Sequence, residues 1–124
     1  MSFQSEYYQL KFSMKSVNGV PLIALEGECD AFTAPAVHGA ISSLIDAGHR
    51  NIIVNIEHLE FIDVAGFHAL DECCIKMLGV GGKLLLVGPT KQVKEVYDIL
   101  RERESCTMLK SVTEAKAMLV LPPT

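Results

Sequence analysis

Two carboxylates, Asp30 and Asp63, are the first candidates for chemistry, each standing at the end of an apolar run and just before a stretch of helical spacing. A carboxylate pair can run acid–base catalysis when its members are held at different protonation states. That use needs a nucleophile, a metal or a third polar partner at defined spacing. None accompanies them, so the chain is not expected to be an enzyme. The structural roles are plainer: Asp63 suits the N-cap of the helix behind it, and Asp30 can end a strand in an Asx-turn. Thr33 is the nearest hydroxyl, and it reads as a helix cap. His38, His49, His58 and His68 show neither i,i+4 pairing nor partnership with cysteine, so no metal site is expected. Cys29, Cys73, Cys74 and Cys106 include no CxxC pair and read as reduced thiols, with Cys74 packed on an apolar helix stripe. The stretch Gly79-Val80-Gly81-Gly82-Lys83 lacks the Ser or Thr that a phosphate loop places after its lysine, and it runs from helix to strand. It is a helix-ending turn, and no cofactor is expected.

The bulk composition narrows the classes further. At 124 residues, with 49% hydrophobic and 21% charged residues, the chain can bury a core as one domain, with residues 1–7 and 121–124 as loose ends. A net charge of −4 without clustered Lys and Arg excludes nucleic acid as a partner. No apolar run reaches the roughly 20 residues that span a bilayer, and the start lacks the pattern of a signal peptide. A cytoplasmic protein without direct membrane insertion is expected.

Periodicity supplies the scaffold around these residues. Residues 8–16 and 20–26 flank Asn18-Gly19, a pair that tolerates the positive φ of a tight hairpin. A helix is predicted over residues 34–47, with Pro35 in its first turn and Val37, Ile41, Leu44 and Ile45 as its buried stripe. Residues 51–56 read as a strand buried on both faces. Asp63 then opens a second helix whose stripe is Phe67, Leu70, Cys74, Met77 and Leu78. A core strand comes next, over residues 83–87. Thr90 caps a third helix carrying Val93, Val96, Tyr97 and Leu100, and the run Arg101-Glu102-Arg103-Glu104 reads as its solvated end. A short strand is expected near residues 107–109. Ser111 and Glu114 form a capping box for a last helix that turns Ala115, Met118 and Leu119 inward. Strands alternating with helices after an opening hairpin imply an α/β fold: a mixed sheet of about five strands with about four helices packed on it.

Four segments in this order resemble the STAS domain family, in its anti-sigma factor antagonist (anti-anti-sigma factor) branch. They are Leu25-Glu26-Gly27-Glu28-Cys29-Asp30, residues 44–55, Leu59-Glu60-Phe61-Ile62-Asp63-Val64-Ala65-Gly66, and Gly81-Gly82-Lys83-Leu84-Leu85-Leu86-Val87. Together they span nearly the whole chain, and the resemblance implies a small α/β sandwich of the STAS type. The resemblance implies a bacterial signalling protein in transcription regulation that works by protein–protein interaction. Its partner would be an anti-sigma factor of the GHKL serine-kinase type; the alternative is a STAS scaffold or subunit of a stress-signalling or lipid-transport complex. A homodimer is left open. The partner surface would comprise Asp30, Phe32, Thr33, Phe61, Asp63, Val64, Ala65, Gly66, His68 and Asp71.

The resemblance also implies a phosphorylatable Ser or Thr immediately after the aspartate of the third segment. Here that position is Val64, followed by Ala65, and neither has a hydroxyl. A phosphate at a helix start would meet free N–H groups and the positive end of the helix dipole, yet would add nearly two negative charges to a docking face. Without a hydroxyl that switch cannot run at this position; Thr33, the nearest hydroxyl in a comparable helix-start setting, is the alternative phosphorylation site. Val64 then either adds apolar area to the partner surface or simply covers its own helix start.

Overall fold

The computed structural model describes residues 3–7, 9–102 and 105–119. Ten elements succeed one another: β1 (Phe3–Tyr7), β2 (Leu10–Val17), β3 (Val20–Cys29), α1 (Ala34–Asp46), β4 (Asn51–Ile62), α2 (Val64–Gly79), β5 (Lys83–Val87), α3 (Lys91–Leu100), β6 (Thr107–Leu109) and α4 (Val112–Leu119). The strands form one mixed sheet in sequence order, β1-β2-β3-β4-β5-β6. The first two pairings are antiparallel, and the other three are parallel. The opening hairpin is where the sequence puts it: Val17 pairs with Val20, and Asn18 and Gly19 take φ of 53° and 81°, the left-handed pair a two-residue turn demands. The expected loose start is overturned for residues 3–7, which pair along β2 as a sixth strand. The expected loose ends at residues 121–124, and Arg103 and Glu104 of the charge run, lie outside the described residues.

The parallel half has three strand–helix–strand units stepping in one direction. Crossovers of one hand then place their helices on one face. The main core lies there: Val37, Ile41 and Ile45 of α1, Phe67, Leu70 and Met77 of α2, and Val93 and Tyr97 of α3 close over Ile52, Val54, Ile56, Leu84 and Leu86. The alternate residues Ile53, Leu85 and Val87 face the other side, where Leu22 and Ala115 of α4 complete a smaller core. Two inward assignments fail. Leu78 at the end of α2 is 54% exposed and Met118 on α4 is 46% exposed. Leu78 lies one residue past Met77, the last buried position of its stripe, and α4 is a short helix whose one fully buried side chain is Ala115.

β4 is twice as long as residues 51–56 alone suggest, and it is irregular. Between Ala24 and Glu26 of β3 its partner residue advances from Asn55 to His58, and between Gly27 and Glu28 it advances from Leu59 to Phe61. Each step inserts one extra residue, a bulge that reverses which face the subsequent side chains meet. The Asn55 side chain accepts from the Glu57 N–H at 3.1 Å in the first of them. The buried series Ile52, Val54, Ile56 therefore continues as Leu59 and Ile62 instead of breaking off.

The cysteines differ from expectation. Cys74 and Cys106 form a disulfide across 32 residues of chain with Cα atoms 5.2 Å apart, while Cys29 and Cys73 are free and buried. The packing explains the pairing: the segment before β6 returns across α2, which faces it with the turn bearing Cys74. Closing a loop of that length removes on the order of 3–4 kcal/mol of unfolded-state freedom in the chain-entropy model.

Candidate functional site

The two parallel strands β3 and β4 end level with each other, Cys29 opposite Ile62. Each leads into a helix within a few residues, so the starts of α1 and α2 lie side by side at one end of the sheet. The Asp63 N–H donates to the Cys29 carbonyl at 3.2 Å and ties the two exits together. Gly66 is what permits this approach. A Cβ at that position would collide with the Cys29 carbonyl oxygen and come within 2.7 Å of Ile62 Cγ1. The glycine of the third segment thus has a packing reason.

At the start of α2, Asp63 is extended (φ −108°, ψ −171°), and its Oδ1 accepts from the Gly66 N–H at 2.9 Å, as an N-cap should. At the start of α1 the capping role expected of Thr33 is not found, since its side chain caps no helix N–H. Thr33 is fully buried and its hydroxyl donates to the Glu28 carbonyl at 2.9 Å while accepting from the Asp30 N–H at 2.9 Å. Asp30 forms the predicted Asx-turn, with Oδ1 accepting from Phe32 N–H at 2.9 Å and Thr33 N–H at 3.1 Å. Both carboxylates therefore serve backbone N–H groups through Oδ1.

Three apolar side chains stand out from this end of the domain: Phe32 is 71% exposed, Val64 54% and Phe61 40%. Ala65 is half-buried and Gly66 is buried, so of the pair after Asp63 it is Val64 that meets solvent. His68 is exposed one turn along α2, its ring edge-on to Phe67 at 5.4 Å. Asp71, further along, is half-buried and accepts a hydrogen bond from the buried Ser105 hydroxyl. The ten expected surface residues therefore divide. Phe32, Phe61, Val64 and His68 are exposed, Asp30 and Asp63 shape the loops, Ala65 contributes an edge, Thr33 and Gly66 face inward, and Asp71 is engaged within the domain.

One participant escaped the sequence reading. Gln92, in the first turn of α3, clamps the Ile62 backbone with both ends of its amide, Oε1 accepting from the N–H at 3.0 Å and Nε2 donating to the carbonyl at 2.9 Å. Thr90 adds a bond from its hydroxyl to the Leu59 carbonyl at 3.2 Å while capping α3 through Val93 N–H at 3.4 Å. The end of β4 is thus held from α3, which neither hydrophobic period nor cap pattern reveals.

Burial pushes the Cys29 thiol from its ordinary value of 9.0 up to about 12, with the nearby Asp63 and Asp30 carboxylates adding to the shift against a hydrogen bond from Thr33. Burial likewise takes Cys73 to about 12. Neither thiol is a nucleophile near neutral pH, because reactivity belongs to the thiolate. Among the described residues no group of His, Cys, Asp and Glu is placed to hold a metal. No helix among them is long and apolar enough to cross a membrane.

The six strands thus form one mixed sheet with an opening hairpin, three helices on one face and the last helix on the other. The STAS domain family model matches residues 11–115, and the chain belongs to that family. Among its relatives is BtrV of Bordetella bronchiseptica, a protein provisionally named an anti-sigma factor antagonist, 23% identical over 90 residues that make up 73% of this chain and 78% of BtrV. The structure of the anti-sigma factor antagonist SpoIIAA in its unphosphorylated form is similar at a TM-score of 0.68 with 25% identity, covering 86% of this chain and 94% of SpoIIAA. The phosphorylated form of the Bacillus cell fate determinant SpoIIAA matches at a TM-score of 0.70 with 22% identity, covering 88% and 99% of the two chains.

Proposed function

We propose that this chain is a protein-binding regulator of the anti-sigma factor antagonist kind, held permanently competent for its partner because it has no phosphorylatable side chain at the docking helix. The observation that carries this is Val64, an exposed valine in the first position of a properly capped helix, flanked at the same end of the sheet by exposed Phe32 and Phe61. Burying such a side chain against a partner is worth about 1–2 kcal/mol. Support comes from the relatives' names and from SpoIIAA having been seen in both phosphorylated and unphosphorylated forms. The partner class is an anti-sigma factor of the GHKL serine-kinase type. The buried, doubly bonded hydroxyl of Thr33 argues against its serving as a replacement acceptor.

The test uses a purified GHKL-type kinase encoded beside this chain's gene. Binding should be unchanged by ATP and magnesium, and no phosphate should appear on the Thr33 peptide by mass spectrometry. Val64→Ser should acquire phosphate at position 64 and then lose affinity. Failure of the unmodified chain to bind such a kinase would end this reading, and copurification with a scaffold or transporter instead would favour the structural-subunit role.

A further inference from the structure

We propose that the Cys74–Cys106 bridge is a redox latch that decides whether Asp71 is held inside the domain or offered to a partner. The proposal rests on the face of α2 near its start being a docking surface, as the proposed function has it, and adds a means of regulating that face.

Asp71 and Cys74 lie three residues apart, on one side of α2. Ser105 and Cys106 are neighbours in the segment that crosses it. Each member of the first pair is tied to one member of the second: the Asp71 carboxylate takes the Ser105 hydroxyl, and Cys74 takes Cys106 as a disulfide. Two ties one helical turn apart fix both position and direction of the segment, where either alone would leave a pivot. Ser105 is 7% exposed and Cys106 2% exposed, so Asp71 Oδ1 is turned to a covered donor. The strand beyond Cys106 is weakly anchored. β6 has three residues and, among the described residues, pairs along one side only, with β5, at the edge of the sheet. The covalent bond is the strong element in this corner.

Reduction consumes two electrons and two protons and leaves a thiol on each cysteine; the donor is a dithiol, which becomes a disulfide. Cys74 is 1% exposed, so a reductant reaches the sulfurs when the edge strand opens, and the latch answers to a sustained change of redox conditions. Once it opens, Ser105 is no longer held in place, and Asp71 turns from an internal acceptor into a free carboxylate on the helix that also carries Val64 and His68.

Thiol titration of the denatured chain should find two reactive thiols of the four cysteines without reductant and four after dithiothreitol. Amide exchange over residues 105–109 should quicken at least tenfold on reduction and in Cys106→Ser, with β4 and α1 unchanged. Affinity for the GHKL-type kinase should rise at least threefold on reduction, and Ser105→Ala should raise it similarly while the bridge stays intact. Four thiols without reductant, unchanged exchange on reduction, or equal affinity in the two redox states would each overturn the latch. If the kinase binds in neither state, the proposed function falls with the docking role of Asp71, and thiol count and exchange still decide whether the segment is pinned by the bridge.

Discussion

The starts of α1 and α2 are close neighbours with the same task, to begin a helix at the end of a parallel strand, and they solve it in opposite ways. At α1 the loop folds in on itself: Asp30 receives two N–H groups, and the Thr33 hydroxyl is turned to the Glu28 carbonyl in the interior. At α2 one carboxylate, Asp63, caps the helix, and the next side chain, Val64, is left facing outward. The hydroxyl is present where nothing can reach it, and the accessible position carries only methyl groups. Suitability for modification is thus set by orientation and cap chemistry more than by residue type in the neighbourhood.

Substitutions put this contrast to the test. The largest effect should come from Gly66→Ala, since the added methyl meets the Cys29 carbonyl and neither strand end can yield. About 3 kcal/mol of stability should be lost in urea unfolding, the upper range for forced overpacking. Next is Thr33→Val, which keeps the volume but strands the Glu28 carbonyl and the Asp30 N–H in a buried place. A loss of about 2 kcal/mol is expected by the same measurement. Asp63→Ala should cost about 1 kcal/mol, the usual worth of a capping carboxylate. If Asp63→Ala proved costlier than Thr33→Val, the two helix starts would have been ranked the wrong way round. Val64→Ser should change stability by less than about 0.5 kcal/mol, as befits an exposed first-turn position, so that any change in partner binding reports on the surface itself. At neutral pH the smallest effect is that of the buried thiols. The folded state holds Cys29 and Cys73 neutral up to about pH 12, whereas the unfolded chain ionises them above its ordinary value of 9.0. Their contribution is therefore complete below pH 9 and is lost as pH rises toward 12. Denaturation midpoints should be level from pH 7 to 8.5 and fall beyond, and the decline should lessen in Cys29→Ala.

Much of this was legible in the chain itself. The hairpin turn, the helix opened by Asp63, the Asx-turn at Asp30 and the apolar stripe of α1 are local matters, decided by residues within four positions of one another. The capping role of Ser111 was legible too, since its hydroxyl accepts from Glu114 N–H at 3.1 Å, although Glu114 reaches back to the N–H of Lys110, not of Ser111. What escaped was non-local. β1 carries the mixed sequence FQSEY and exists because β2 offers it an edge. The Cys74–Cys106 bond and the Gln92 clamp join points about 30 residues apart, 32 and 30 respectively, with no periodicity to announce them. Thr33 looked like a cap because its position is right; the rotamer that sends its hydroxyl inward is chosen by the Glu28 carbonyl, which only the bend of the chain brings near.

The two extra residues in β4 take up slack. In each bulge two residues face one, so the ten residues Ile53 to Ile62 end level with the eight residues Leu22 to Cys29. Strand residues advance by about 3.3 Å each, so a regular strand of the same ten residues would overrun Cys29 by about 7 Å. Asp63 would be carried past the carbonyl it now bonds, and Val64 would part company with Phe32. Two local irregularities, with no change in any surface residue, are what keep the beginnings of the two helices abreast.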